Sequence, residues 1–131
     1  MALLALPAPT TPLATIAGVN LAGTALGTNT GATVPWVPGL VLVVLSGTTA
    51  AGAVTLVNPN TGTTFAAPSV TLAADGIALF GVIDQVFMGA GGLVQVNVAV
   101  VTTAAVGAYL APAATTGAHT PFLNLASLSD Y

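Results

Sequence analysis

From Leu93 to Val100 the chain alternates with a period of two. Leu93, Gln95, Asn97 and Ala99 fall on one side, and Val94, Val96, Val98 and Val100 on the other. Successive side chains of an extended strand point to opposite faces, so this stretch predicts a strand with one buried and one open face. Ser69-Val70-Thr71-Leu72 repeats the pattern in shorter form. Leu40 to Leu45 differs: it is a continuous apolar run rich in Val, bounded by Pro38-Gly39 and Ser46-Gly47. A short run of that kind between turn residues predicts a strand covered on both faces. Ala53 to Val57 reads as another strand, closed by the turn cluster Asn58-Pro59-Asn60-Thr61-Gly62. Asp75-Gly76 predicts a tight hairpin turn into Ile77-Ala78-Leu79-Phe80. Val82 to Met88 is an apolar connection, Gly89-Ala90-Gly91-Gly92 a turn, and Ala104 to Leu110 the last strand before Pro112.

Turn signals recur close to every ten residues between Ala32 and Leu110. That rhythm indicates an antiparallel β-sandwich or barrel. The expectation adopted is an all-β fold, an antiparallel β-sandwich of about six to eight short strands with extended N- and C-terminal arms. Its parts are a Pro/Thr/Ala-rich arm and leader (1–30), the sandwich (31–111) and an apolar C-terminal arm (112–131). Pro7, Pro9 and Pro12 favour extended backbone in the first arm. Gly18, Gly23 and Gly27 argue against a stable helix across Ala14 to Leu26. A short helix is compatible with Leu123 to Leu128, and no internal repeat is visible.

Charge changes the picture most. The 131 residues hold no Lys and no Arg, three acidic side chains (Asp75, Asp84, Asp130) and one histidine, His119. Charged residues make up 2 % of the chain and hydrophobic residues 55 %, where an ordinary soluble domain is about a quarter charged. A free monomer relies on mixed surface charge to stay dissolved. A chain this poor in ionised groups reads as one packed into something larger, with its exterior covered by neighbours. Without Lys or Arg it has no electrostatic route to nucleic acid or to an anionic membrane surface. The absence of cysteine removes disulfides and thiolate metal sites.

The mean hydropathy of +0.99 is high, yet a spanning helix needs about 20 apolar residues in a row. Gly, Pro, Thr or Asn interrupts the apolar runs within a few residues, so a soluble assembly component is expected. Met1 to Leu6 has no basic stretch and meets Pro7 at once, so no secretory signal peptide is expected there.

The order of turns and strands carries a resemblance. Asn29-Thr30-Gly31-Ala32-Thr33-Val34-Pro35 is followed by Gly39-Leu40-Val41-Leu42-Val43-Val44 and Ser46-Gly47. Then come Ala53-Val54-Thr55-Leu56-Val57, Val70 to Gly76 with Asp75-Gly76, and Phe80-Gly81-Val82. Gly92-Leu93-Val94-Gln95-Val96-Asn97-Val98 and Ala108-Tyr109-Leu110 close the series. Over about two-thirds of its length, taken as a pattern of strands rather than a catalytic signature, the chain resembles the small β-sandwich head decoration (minor capsid) proteins of tailed bacteriophages. The resemblance implies a structural component on the outer surface of a virion, bound to the major capsid protein and to copies of itself. A homo-oligomer such as a trimer at the shell symmetry axes would suit it. Such proteins usually carry Asp, Lys and Arg on loops where this chain has apolar residues, Thr or Gly. The alternative reading is an extracellular fibre, sheath or surface-layer subunit that assembles by strand or arm exchange.

Candidate chemistry is sparse. Catalysis needs a base beside a nucleophile and a group to orient it, and His119 stands alone in the C-terminal arm. It reads as a solvated or interface histidine. Asp75 reads as a turn residue and Asp84 as a loop or cap residue, rather than a carboxylate pair. Gly89 to Gly92 precedes a strand and has no Lys, unlike a phosphate loop. No enzyme activity, cofactor or metal is expected. The apolar positions are the candidates instead. Trp36 reads either as a plug at the sandwich end or as an interface anchor. Phe122, Leu123, Leu125, Leu128 and Tyr131 form an apolar tail that must fold back or dock on a neighbour; docking is the favoured reading.

Overall fold

The Leu40–Leu45 run lies at the middle of a sheet because both of its faces have apolar cover: five of its six residues are buried. The computed structural model describes residues 2–13, 21–59 and 67–112. Among these described residues there are nine strands, in chain order β1 (Leu4–Ala5), β2 (Thr24–Ala25), β3 (Gly31–Pro35), β4 (Leu40–Leu45), β5 (Gly52–Leu56), β6 (Ser69–Leu72), β7 (Ile77–Phe80), β8 (Leu93–Val98) and β9 (Ala105–Leu110). One sheet has the order β1-β3-β8-β5-β6 and the other β2-β9-β4-β7. All strand pairs are antiparallel except β1 with β3. The fold is a β-sandwich.

The inner faces follow the period of two. Ala32 and Val34 of β3, Val94, Val96 and Val98 of β8, and Val54 and Leu56 of β5 meet Leu40, Leu42 and Val44 of β4. Ala78 and Phe80 of β7, Val106 of β9, Leu72 of β6 and the loop residues Leu26, Ala51, Ile83 and Ala104 join this core. Fully burying one Val, Leu or Phe contributes about 1.5–3 kcal/mol, so this shared layer is the main source of cohesion between the sheets.

Residues 1–30, read from the sequence as arm and leader, lend a strand to each sheet. Leu4 and Ala5 pair with Ala32 and Thr33, and Thr24 and Ala25 with Val106 and Ala105. Past β1, Leu6 N–H donates to Thr33 C=O at 2.8 Å, and beside the Pro12–Leu110 bridge Leu13 N–H donates to Leu110 C=O at 2.8 Å.

The hairpin expected at Asp75-Gly76 is not formed. β6 pairs with β5 and β7 with β4, so the segment crosses from one sheet to the other. The local turn chemistry is present: Asp75 adopts a φ of 59°, which Asp tolerates better than most residues. The end of β4 redirects the strands. Gly47 C=O accepts from Asp75 N–H at 2.6 Å, and Ser46 Oγ accepts from Gly76 N–H at 2.8 Å. No helix among the described residues is long and apolar enough to cross a membrane.

Candidate interaction surface

The outer faces of the two sheets have opposite character. On the β1-β3-β8-β5-β6 sheet the outward positions include Thr33, Gln95, Asn97, Thr55, Ser69 and Thr71, set in register. These side chains bond to one another: Gln95 Nε2 donates to Asn97 Oδ1 at 2.9 Å, and the Thr55 and Ser69 hydroxyls lie 3.1 Å apart. Leu93 and Ala53 share this face, which is otherwise polar and, at these positions, uncharged.

The outward positions of the other sheet are Val41, Val43 and Leu45 of β4, Ile77 and Leu79 of β7, and Ala105, Gly107 and Tyr109 of β9. Apart from the tyrosine hydroxyl they bear no polar side-chain atom. Part of this face is covered. Val41, Val43 and Tyr109 are buried, with Leu13, Leu21, Leu45 and Ala111 packed against them. The β7 end is open: Ile77 is 56 % exposed and Leu79 54 % exposed. Val82, just past the strand, is 59 % exposed.

Two glycines and a tyrosine fix the covered part. A Cβ on Gly107 would run into the carbonyl oxygen of Ala22, and one on Gly23 would lie 2.9 Å from the Val106 backbone. The leader therefore crosses β9 at van der Waals range, which only glycine permits. The Tyr109 hydroxyl donates to Ala22 C=O at 3.0 Å and accepts from Ala22 N–H at 2.8 Å. One side chain thus satisfies both backbone groups of a residue outside any strand. A cleft of about 370 Å³ lies beside this crossing, between Leu6–Thr11 and Ala22–Thr24. Tyr109 is the titratable side chain on its wall, and its hydroxyl is already engaged.

The residues singled out from the sequence fall as follows. Trp36 is half-buried against the main core, and its indole N–H donates to Ile83 C=O at 2.9 Å. Asp84 Oδ1 accepts from Val86 N–H at 3.0 Å, capping the 3₁₀ turn Gln85–Phe87. Among the described residues no three His, Cys, Asp or Glu side chains gather as a metal site would require. His119, Phe122, Leu123, Leu125, Leu128 and Tyr131 lie outside the described residues, as does the stretch compatible with a short helix. Sequence reasoning passed over Ile77, Leu79, Leu13 and Leu21. The sequence carried no signal for the β7 pair: all four residues Ile77-Ala78-Leu79-Phe80 are apolar, as in a buried strand, and only the sheet order shows that β7 ends a sheet. Compared with models of protein families, with curated proteins and with solved structures, the chain finds no match.

Proposed function

We propose that this chain is a structural subunit of a phage head, a decoration or minor capsid protein on its outer surface. Its partners are the major capsid protein and copies of itself. The observation that carries the reading is a combination: a chain with no Lys or Arg presents an apolar outer sheet face that is left open at Ile77 and Leu79. An exposed apolar patch of this kind marks a surface that another molecule covers. Burial of ~1,000 Å² of apolar surface contributes on the order of 25 kcal/mol gross, before the entropy of association is subtracted. Ion pairs add little, since this chain could offer only carboxylates to a basic partner.

The test is the response to salt. Particles carrying the protein are washed from about 0.1 M to about 2 M sodium chloride at neutral pH, where screening shortens the Debye length from ~10 Å to a few ångström. Full occupancy is the expected result. Release that climbs with salt would contradict attachment by apolar burial.

The open strand at the end of a sheet also favours the second reading, a fibre, sheath or surface-layer subunit built by strand addition. Electron micrographs of the native assembly separate the two, because a closed shell and a filament differ in outline.

A further inference from the structure

β6 and β7 both end a sheet, both have four residues, and neither has a neighbour on its outer side among the described residues. Their open borders differ. Ser46 N–H donates to Gly76 C=O at 3.0 Å, one step beyond the Leu45–Ile77 pair. Backbone groups alternate sides along a strand, so Ala78 and Phe80 bond to β4. The N–H and C=O groups of Ile77 and Leu79 therefore point outward along the border. In β6 the same reasoning starts from Leu56 N–H, which donates to Pro68 C=O at 2.9 Å. There it is Ser69 and Thr71 that point outward. The border of β6 is thus flanked by hydroxyls and that of β7 by exposed Ile and Leu. Sheet ends are usually guarded by Lys, Pro or a bulge. β7 has no Lys and no Pro, and its ladder to β4 runs without a bulge.

We infer that β7 is the contact between two copies of this chain, pairing antiparallel with β7 of the second copy about a two-fold axis at Ala78. In that register Ile77 lies opposite the second copy's Leu79, and Leu79 opposite the second copy's Ile77. Each pair exchanges both backbone bonds, and the Ile and Leu side chains lie together on the outer face. Centring on Leu79 instead would set Ile77 against Gly81, past the end of the strand. The border is self-complementary, so a second copy supplies every group it lacks. Charge does not oppose the meeting: Asp75 falls opposite Gly81, and the two Asp75 side chains are separated by roughly 20 Å along the ladder. The contact joins two four-stranded sheets into one continuous sheet. It rests on the reading of the chain as an assembly subunit and adds the partner surface and the axis. A two-fold contact closes on itself, so it makes pairs within the assembly rather than an endless ribbon.

The chain has no cysteine, so a single introduced thiol reports on the axis. In full-length Ala78→Cys the two thiols form a non-hydrogen-bonded pair with Cβ atoms about 4.5–5.5 Å apart, a small adjustment from disulfide range. Mild oxidation and a non-reducing gel should show Ala78→Cys as a covalent dimer and Thr71→Cys, on the β6 border, as a monomer. Sedimentation gives the second reading without a cross-link. Leu79→Lys should weaken self-association by about tenfold or more, because it alters both halves of a symmetric contact. Thr71→Lys should leave self-association unchanged, and circular dichroism checks that each variant folds. Wild-type protein that stays monomeric, Ala78→Cys that stays uncoupled in associated protein, or equal behaviour of the two Lys variants would each overturn the pairing. Particles whose subunits refuse the cross-link sink this contact and leave the shell reading standing. Cross-linked dimers that never join a particle do the reverse.

Discussion

Ser46 is the buried polar side chain of the described residues, and replacing it with alanine tests how the sheets are joined. Its Oγ donates to Ala73 C=O at 2.6 Å and accepts from Gly76 N–H at 2.8 Å. A net hydrogen bond contributes about 0.5–1.5 kcal/mol, whereas a buried group left without any partner costs about 1–3 kcal/mol. The larger penalty does not apply. Without the hydroxyl, Gly76 N–H still reaches Ala73 C=O at 3.1 Å, and Gly76 C=O still receives Ser46 N–H at 3.0 Å. Two bonds are lost and none of these backbone groups is stranded, so Ser46→Ala should destabilise by about 2 kcal/mol. That is a sizeable share of the roughly 5–15 kcal/mol that holds a domain folded. Trp36, the single tryptophan, supplies the signal for urea unfolding. With a urea slope of about 1–3 kcal/mol per molar, the midpoint should fall by roughly 1 M. A drop below about 0.2 M, or one no larger than for exposed Thr49→Ala, would refute the reasoning that this hydroxyl anchors the crossing between sheets.

Gly107→Ala should lift the leader off β9, since the new methyl collides with Ala22 C=O; overpacking of this kind costs about 1–3 kcal/mol. Hydrogen exchange should then quicken at residues 22–25 and stay slow in β3 and β8, and uniform protection would show that the crossing adapts. Truncation after Pro112 should abolish incorporation into particles while cooperative unfolding of the sandwich survives; unchanged occupancy would show that the tail is not the docking element.

Strand positions were legible where pattern and burial share a cause. Ser69–Leu72 and Ile77–Phe80 match their expected limits, and Leu93–Val98 shows the alternation that its sequence displays. Strand partners were harder to read. Asp75-Gly76 signals a backbone that turns, and the same turn serves a hairpin or a crossing. The choice lies with Ser46 and Gly47, distant in sequence, which bind the turn from the end of β4. The leader was obscure for a related reason. Gly23 reads in the sequence only as a residue that disfavours helix, and Gly107 sits unmarked inside an expected strand; only the approach of Gly107 to Ala22 and of Gly23 to Val106 shows that they let one backbone pass over another. Trp36, read as either a plug or an interface anchor, packs partly buried against the core, whereas Ile77 and Leu79 escaped notice. An Ile-Ala-Leu-Phe strand has the composition of a buried one, and nothing local reveals that it ends its sheet.

The clasp between Tyr109 and Ala22 also constrains how the protein is made. The two residues are 87 positions apart. At a synthesis rate of about 5–20 residues per second, the beginning of the nascent chain waits roughly 4 to 17 s for its anchor on β9 to be translated. For most of that interval Val41 and Val43 have already been synthesised, and their outward side is uncapped. The newborn polypeptide is at its stickiest before β9 emerges, which is when a chaperone or a neighbouring subunit would find it most receptive.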